Sequence, residues 1–313
     1  MLLSFKNLLL AAANTVGGQA VIEGVMMRSK NRLAIAVRLP DGTVEVHERP
    51  WFSLTNHPIL KKPFIRGFPV LLETLVNGIK ALNWSASQAV DEDEGELSNW
   101  HLVLSMVIAI AAALGLFVVV PHFFSVGMEW LGFGGDVDSL SFHAWDGLFK
   151  MLIFVGYIWV ISFIPDIKRV FQYHGAEHKV IWTYEAGGSL VPENARINSR
   201  LHPRCGTAFM LFVLTVSILL YSVLVPLLMH FYVPDTFVLK HLYIVSVKLV
   251  LMAPISAMAY ELIKFAAKHE GRMLCKVICW PGLALQALTT REPDDRQIEV
   301  AIAALKCAVQ MEE

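Results

Sequence analysis

"LVLSMVIAIAAALGLFVVV", Leu102 to Val120, decides the fold, because Ser105 is its only polar residue. A helix needs about 20 mostly apolar residues to cross a bilayer, and this run meets that length. Three further stretches read the same way: Gly147 to Ile164, with Lys150 near one end; Thr207 to Met229; and Tyr243 to Ile263, which carries Lys248, Pro254 and Glu261. Four such runs in one chain are hard to bury in a soluble core. The composition agrees, with 17% charged residues and a mean hydropathy of +0.53, where a soluble domain carries about 25% charged residues. The chain therefore reads as an α-helical polytopic membrane protein with four transmembrane helices, and the lipid bilayer is its first partner.

Lys and Arg counts set the orientation. Ten precede the first span, none lies between Pro121 and Asp146, and six (Lys168, Arg169, Lys179, Arg196, Arg200 and Arg204) fall between the second and third. Lys240 alone separates the third from the fourth, and seven follow, beginning with Lys264. Both termini and the central loop are expected on the cytoplasmic side. The acidic run Asp91 to Glu96 does not change this, since acids contribute little to the rule. The opening "MLLSFKNLLLAAANTVGG" has a short apolar core, Leu8 to Ala13, and reads as an amphipathic lead-in rather than a cleaved signal. Cys205, Cys275, Cys279 and Cys307 all fall on the expected cytoplasmic side. Free thiols or metal ligands are expected there, not disulfides. A net charge of −1 gives no global basic signal for nucleic acid, and none is expected as a partner.

Three regions follow. Residues 1–99 form a cytoplasmic N-terminal region, 100–265 the membrane domain with a loop at 165–206, and 266–313 a C-terminal helical region. In the first, Leu33 to Leu39 and Thr43 to Glu48 alternate around Pro40-Asp41-Gly42, a hairpin signal. A hairpin alone is marginal in water, so a preceding strand, Ala20 to Met26, is expected to complete a small β unit. Next, Val70, Leu71, Leu75, Ile79 and Leu82 recur at helical spacing, with Glu73, Asn77 and Lys80 off the stripe. That predicts an amphipathic helix on the membrane or on the β unit. Pro281-Gly282 is expected to break the segment after the fourth span, and a last helix is expected from Asp294 to Val309.

The chemistry concentrates in the central loop. In "YHGAEHK", His174 and His178 stand one helical turn apart on one face, with Glu177 beside them. This is the H-x-x-E-H order of inverted zincins. Two histidines one turn apart can chelate Zn²⁺, and a nearby carboxylate can act as general base. In "HPRCGT", His202 and Cys205 are two more good ligands in the same loop. The expected set is His174, His178, His202 and Cys205 around Zn²⁺ or another divalent metal, with Glu177 catalytic. Glu23, Glu185 and Glu261 are candidates for supporting contacts or alternative ligation. Glu23 lies in "GGQAVIEGVMMR" and could instead pair with Arg28; Glu261 could pair with Lys264. Lys248 is expected to snorkel.

"GGQAVIEGVMMR", "AVRLPDG", "YHGAEHK", "HPRCGT" and "LTTREPDD" together resemble the YqhQ-like family of bacterial membrane proteins. That family is a domain of unknown function, labelled a predicted metal-dependent enzyme. The resemblance implies a bacterial inner-membrane location and a metal, and supplies no substrate. The leading expectation is a metal-dependent hydrolase at the cytoplasmic membrane face. The alternative is a scaffold for a cytoplasmic protein partner, in which all four ligands close a structural zinc site. Transport is the weaker third reading, because the spans show few polar groups beyond Lys248 and Glu261.

Overall fold

The computed structural model describes residues 16–29, 32–89, 99–268 and 273–310. The lead-in at Leu8 to Ala13 and the acidic run Asp91 to Glu96 lie outside these residues. A four-stranded antiparallel meander comes first: β1 (Val16–Val21), β2 (Gly24–Ser29), β3 (Arg32–Arg38) and β4 (Val44–Pro50), paired in chain order. The helices follow: α1 (Gly67–Gln88), α2 (Asn99–Leu114), a π-helical turn (Gly115–Val119), α3 (Val120–Trp130), α4 (Leu140–Ile161), α5 (Pro165–Glu185), α6 (Pro192–Arg196), α7 (Gly206–Phe231), α8 (Phe237–Lys268), α9 (Met273–Thr289) and α10 (Asp295–Gln310).

The strand expected at Ala20 to Met26 is instead two strands. Val21 pairs with Gly24 across a two-residue turn, and Glu23 takes a left-handed φ of 51°. No Asn-Gly or Asp-Gly marks this turn, so the hydrophobic run conceals it. Gly24 is required for packing: a Cβ there would lie 2.1 Å from the Ala36 carbonyl. Strand β3 is covered on both faces, which explains its continuous run "LAIAV". Leu33, Ile35 and Val37 face Trp51 and Ala81 of α1. Ala34 and Ala36 face α5 and α10, where their small size lets Tyr173, Ala176, Ile298 and Leu305 approach. Each fully buried Leu or Ile contributes about 1.5–3 kcal/mol.

Helix α1 inverts its expected face. Glu73, Asn77 and Ser85 are buried against the sheet side, while Leu75 is half exposed. Glu73 accepts from Trp51 Nε1 at 3.3 Å and Ser53 Oγ at 2.9 Å. Asn77 bonds both backbone groups of Phe52. The polar face is thus consumed by the loop after β4, because buried polar groups need partners; of the apolar stripe Leu75 turns outward while Leu82 still packs on the sheet core. Helix α10 opens on a reciprocal cap: Asp294 accepts from Gln297 N, and Gln297 Oε1 accepts from Asp294 N.

Four helical stretches are apolar and long enough to cross a membrane: Leu104–Trp130, Leu140–Ile161, Phe209–Phe231 and Phe237–Phe265. Val107, Ile108, Leu152, Val223 and Val250 are exposed on them. An apolar surface of that extent suggests a membrane protein. The first stretch does not stop at Pro121. The widened π-turn just before it makes room for a ring that would otherwise clash with the preceding turn. Pro281 likewise lies inside α9 rather than breaking it. The sheet unit docks at one end of the bundle. Gly67 lies so close to α8 that a Cβ would be 2.6 Å from Ala257 Cα, and Arg66 forks onto Glu261 at 2.7 Å.

Candidate metal centre

Helix α5 carries the cluster and is fixed on three sides. Pro165 and Asp166 begin it, as suits a helix N-terminus. Arg169 and the Tyr173 hydroxyl both bind Glu23 at the β1–β2 turn, so Glu23 anchors the sheet to α5 and does not pair with Arg28. The segment after α9 lies across Gly175: Arg291 N donates to the Phe171 carbonyl at 2.8 Å. A Cβ on Gly175 would sit 2.1 Å from Arg291 O. The glycine of "HGAEH" is there so that this segment can touch the helix.

The contact sets the histidine tautomers. His174 Nδ1–H donates to the Thr289 carbonyl at 2.8 Å, and His178 Nδ1–H donates to the Arg200 carbonyl at 2.6 Å. Carbonyls only accept, so in the neutral imidazoles the lone pair is on Nε2. Metal-bound histidines are held in this manner. The Cys205 thiol donates to His174 Nε2 at 3.2 Å. One donor atom from each of His174, His178 and Cys205 lies within 4.8 Å of the others. Cys205 also caps α7, accepting from Thr207 N at 3.4 Å. His178 is buried, which holds it below the usual imidazole range. Two imidazole nitrogens and one thiolate form a donor set that fits Zn²⁺.

Glu177 is buried beside the cluster, and its Oε2 has no hydrogen-bond partner among the described residues. Burial pushes its carboxyl up to about 7, against the pull of His174 and His202. Its other side meets β1, where a Cβ on Gly18 would lie 2.8 Å from Cδ and Oε1.

His202 stands one ring away, its centroid 5.7 Å from that of His178 and 4.6 Å from Trp182. Gln286 of α9 holds its backbone N–H and carbonyl at 2.8 Å each. Its Nδ1 accepts from Arg204 N at 3.3 Å, and its Nε2 faces Glu185 Oε2 at 3.5 Å. Glu185 also pairs with Arg204, so it reaches the cluster only through His202. Glu261 is committed to Arg66 at the α1–α8 contact and pairs there instead of with Lys264. Cys307 lies on α10 away from the cluster, and its thiol donates to Glu48; the side chains of Cys275 and Cys279 lie outside the described set. Thr289 and Thr290 stand only in the quoted block "LTTREPDD" and Arg200 only in the basic count, with no site role read for any of them. Thr289 and Arg200 act through backbone carbonyls, and the Arg200 guanidinium ties the two segments together by donating to Thr290 Oγ1 at 2.7 Å.

A family model described as a protein of unknown function, DUF1385, matches residues 62–311. The chain belongs to the DUF1385 family. It is also 34% identical over 310 residues to the uncharacterized protein YqhQ of Bacillus subtilis (strain 168), covering 95% of this chain and 92% of that one. No solved structure matches it. The family's matched segment runs from just before α1 to the end of α10 and includes every residue of the cluster.

Proposed function

We propose that the protein is a metal-dependent hydrolase of the bacterial inner membrane, with its site at the cytoplasmic face. His174, His178 and Cys205 hold Zn²⁺ or another divalent metal. The observation that supports this reading most directly is the cluster's composition among the described residues: three convergent donors rather than four, beside a buried glutamate with an unpartnered oxygen. Catalytic zinc sites use three protein ligands, whereas structural sites use four. A divalent metal in such a site supplies a Lewis acid and an acidified water. Glu177 then holds and moves a proton at Oε2, a task that suits a carboxyl raised toward neutral pH. Thr289 and Arg200 orient the two imidazoles, and Gly18 closes the wall behind Glu177. The cytoplasmic placement rests on the Lys and Arg alternation between spans.

Glu177→Gln keeps the size and most hydrogen bonding but removes the base. It is expected to retain metal and fold, and to fail to complement a deletion strain, since general-base catalysis contributes roughly 10²–10⁴ in rate. A second reading, a scaffold with a closed zinc site for a cytoplasmic protein partner, draws support from the nearness of His202 to His178. Full complementation by Glu177→Gln together with failure of Cys205→Ala selects that reading instead.

A further inference from the structure

Lys248 does not snorkel: it is wholly buried between the spans, 0% exposed. Its Nζ donates to Asp146 Oδ2 on α4 at 3.0 Å and contacts His122 Nδ1 on α3 at 3.2 Å. His122 Nε2 in turn lies 2.8 Å from His241 Nδ1 on α8. Lys150 Nζ meets the same Asp146 oxygen at 2.5 Å. Asp146, Lys150, His122 and His241 are all buried. The chain thus joins three helices by contacts of hydrogen-bond length with no gap. It begins at His241, about one turn inside the half-exposed Phe237. It ends at Lys248 and Asp146, with Lys248 about 16 Å along α8 from Phe237 and about 10 Å from His241 at about 1.5 Å per residue. The mouth lies at the end of the bundle away from the sheet unit, where Lys240 pairs with the partly exposed Asp136.

Joining apolar helices does not require these charges, since hydrophobic residues of the same volume hold a bundle as well or better. Ionisable groups within spans are rare and mark ion or proton pathways. The polarity of this chain is reversible. With Lys248 as an ammonium, every donor points outward: Lys248 N–H to His122 Nδ1, His122 Nε2–H to His241 Nδ1, and His241 Nε2–H toward the mouth. When Lys248 has lost one proton, its lone pair accepts from His122 Nδ1–H and the sequence runs inward. Asp146 Oδ1 is buried without a hydrogen-bond partner among the described residues at the inner end, as are both ring nitrogens of the neighbouring His143. A further polar neighbour is Tyr221 of α7, whose hydroxyl donates to the Lys248 carbonyl and whose ring lies under Lys150, and Asp138 acts on His143 from the loop before α4.

We propose that His241, His122 and Lys248 form a proton path from the bilayer face opposite the sheet unit to Lys248, which gains and loses the proton beside Asp146 in the middle of the bundle. One proton leaves Lys248 for His122 Nδ1, the His122 Nε2 proton passes to His241 Nδ1, and the His241 Nε2 proton is released; uptake reverses each transfer. The bound species is the proton, and the path is independent of the metal cluster at the other end.

The test is a pH step applied to full-length protein in liposomes on a solid-supported membrane, read as displaced charge. Wild type is expected to give a current absent from empty liposomes. His122→Gln/His241→Gln is expected to bring it to the empty-liposome level, and so is His241→Gln alone, which perturbs only the mouth. His143→Gln alters the same buried pocket off the path and is expected to keep the wild-type current. Each variant is checked by its thermal melt. No current in wild type, or a wild-type current in the well-folded double variant, overturns the proposal.

Discussion

The Glu177 carboxyl lies directly against the Gly18 backbone, leaving no room for a Cβ within 2.8 Å of Cδ and Oε1. The contact joins two motifs more than 150 residues apart in the chain, "GGQAVIEGVMMR" and "YHGAEHK". Gly18→Ala is therefore expected to destabilise by about 1–3 kcal/mol, the usual range for overpacking. In a Glu177→Ala background, which removes Cδ, Oε1 and the Cγ that would lie 2.9 Å away, the same change is expected to cost close to nothing. Thermal melts of the four proteins in a double-mutant cycle measure the coupling.

The metal content separates three ligands from four. His174→Ala and His178→Ala are each expected to abolish stoichiometric zinc in purified protein. His202→Ala is expected to retain it, because its Nε2 faces Glu185. His47→Ala, on the far side of the sheet and stacked on Trp84, serves as the control. Loss of zinc from His202→Ala would close the site and turn the reading from enzyme to scaffold.

The four long apolar helices were legible because length and apolarity alone define them, and hairpin β3–β4 because Pro40-Asp41-Gly42 marks its turn. The limits were local. A turn whose only special residue is Glu23 has no composition cue, so β1 and β2 read as one strand. The first run reads as ending at Val120, because a π-turn that carries the helix on through Pro121 cannot be seen in a residue pattern. In the site, His174, His178 and Cys205 were legible as residue types at a spacing. The carbonyls of Thr289 and Arg200 were not, since every residue has one. Lys248 was misread because snorkelling was judged from its own span, while its partners Asp146 and His122 come from two others.

Orientation can be tested without knowing the activity. A cysteine placed at Gly135, in the lysine- and arginine-free loop, is expected to react with an impermeant maleimide applied to intact cells. A cysteine at Gly188, just past α5, is expected to react only after the membrane is opened. The opposite pattern would put the cluster on the other face and would also reverse the direction of the proton path.

Gly175 tests whether the segment after α9 tunes the metal. A Cβ at that position would collide with the Arg291 carbonyl at 2.1 Å, a backbone atom that cannot rotate aside. Gly175→Ala must therefore lift the segment from α5, and Thr289 O goes with it, leaving His174 Nδ1–H without its acceptor. Loss of such an orienting partner typically costs 10–100-fold in metal affinity, so about that fall is expected in competition with a chelator. Gly156→Ala is the matched control, because it sits on helix α4 with nothing within 4 Å of its Cβ position and leaves the cluster untouched. If Gly175→Ala binds zinc as tightly as wild type while its melt shows the expected strain, the Thr289 contact is only a packing contact. The orientation of His174 would then have to come from Cys205 alone.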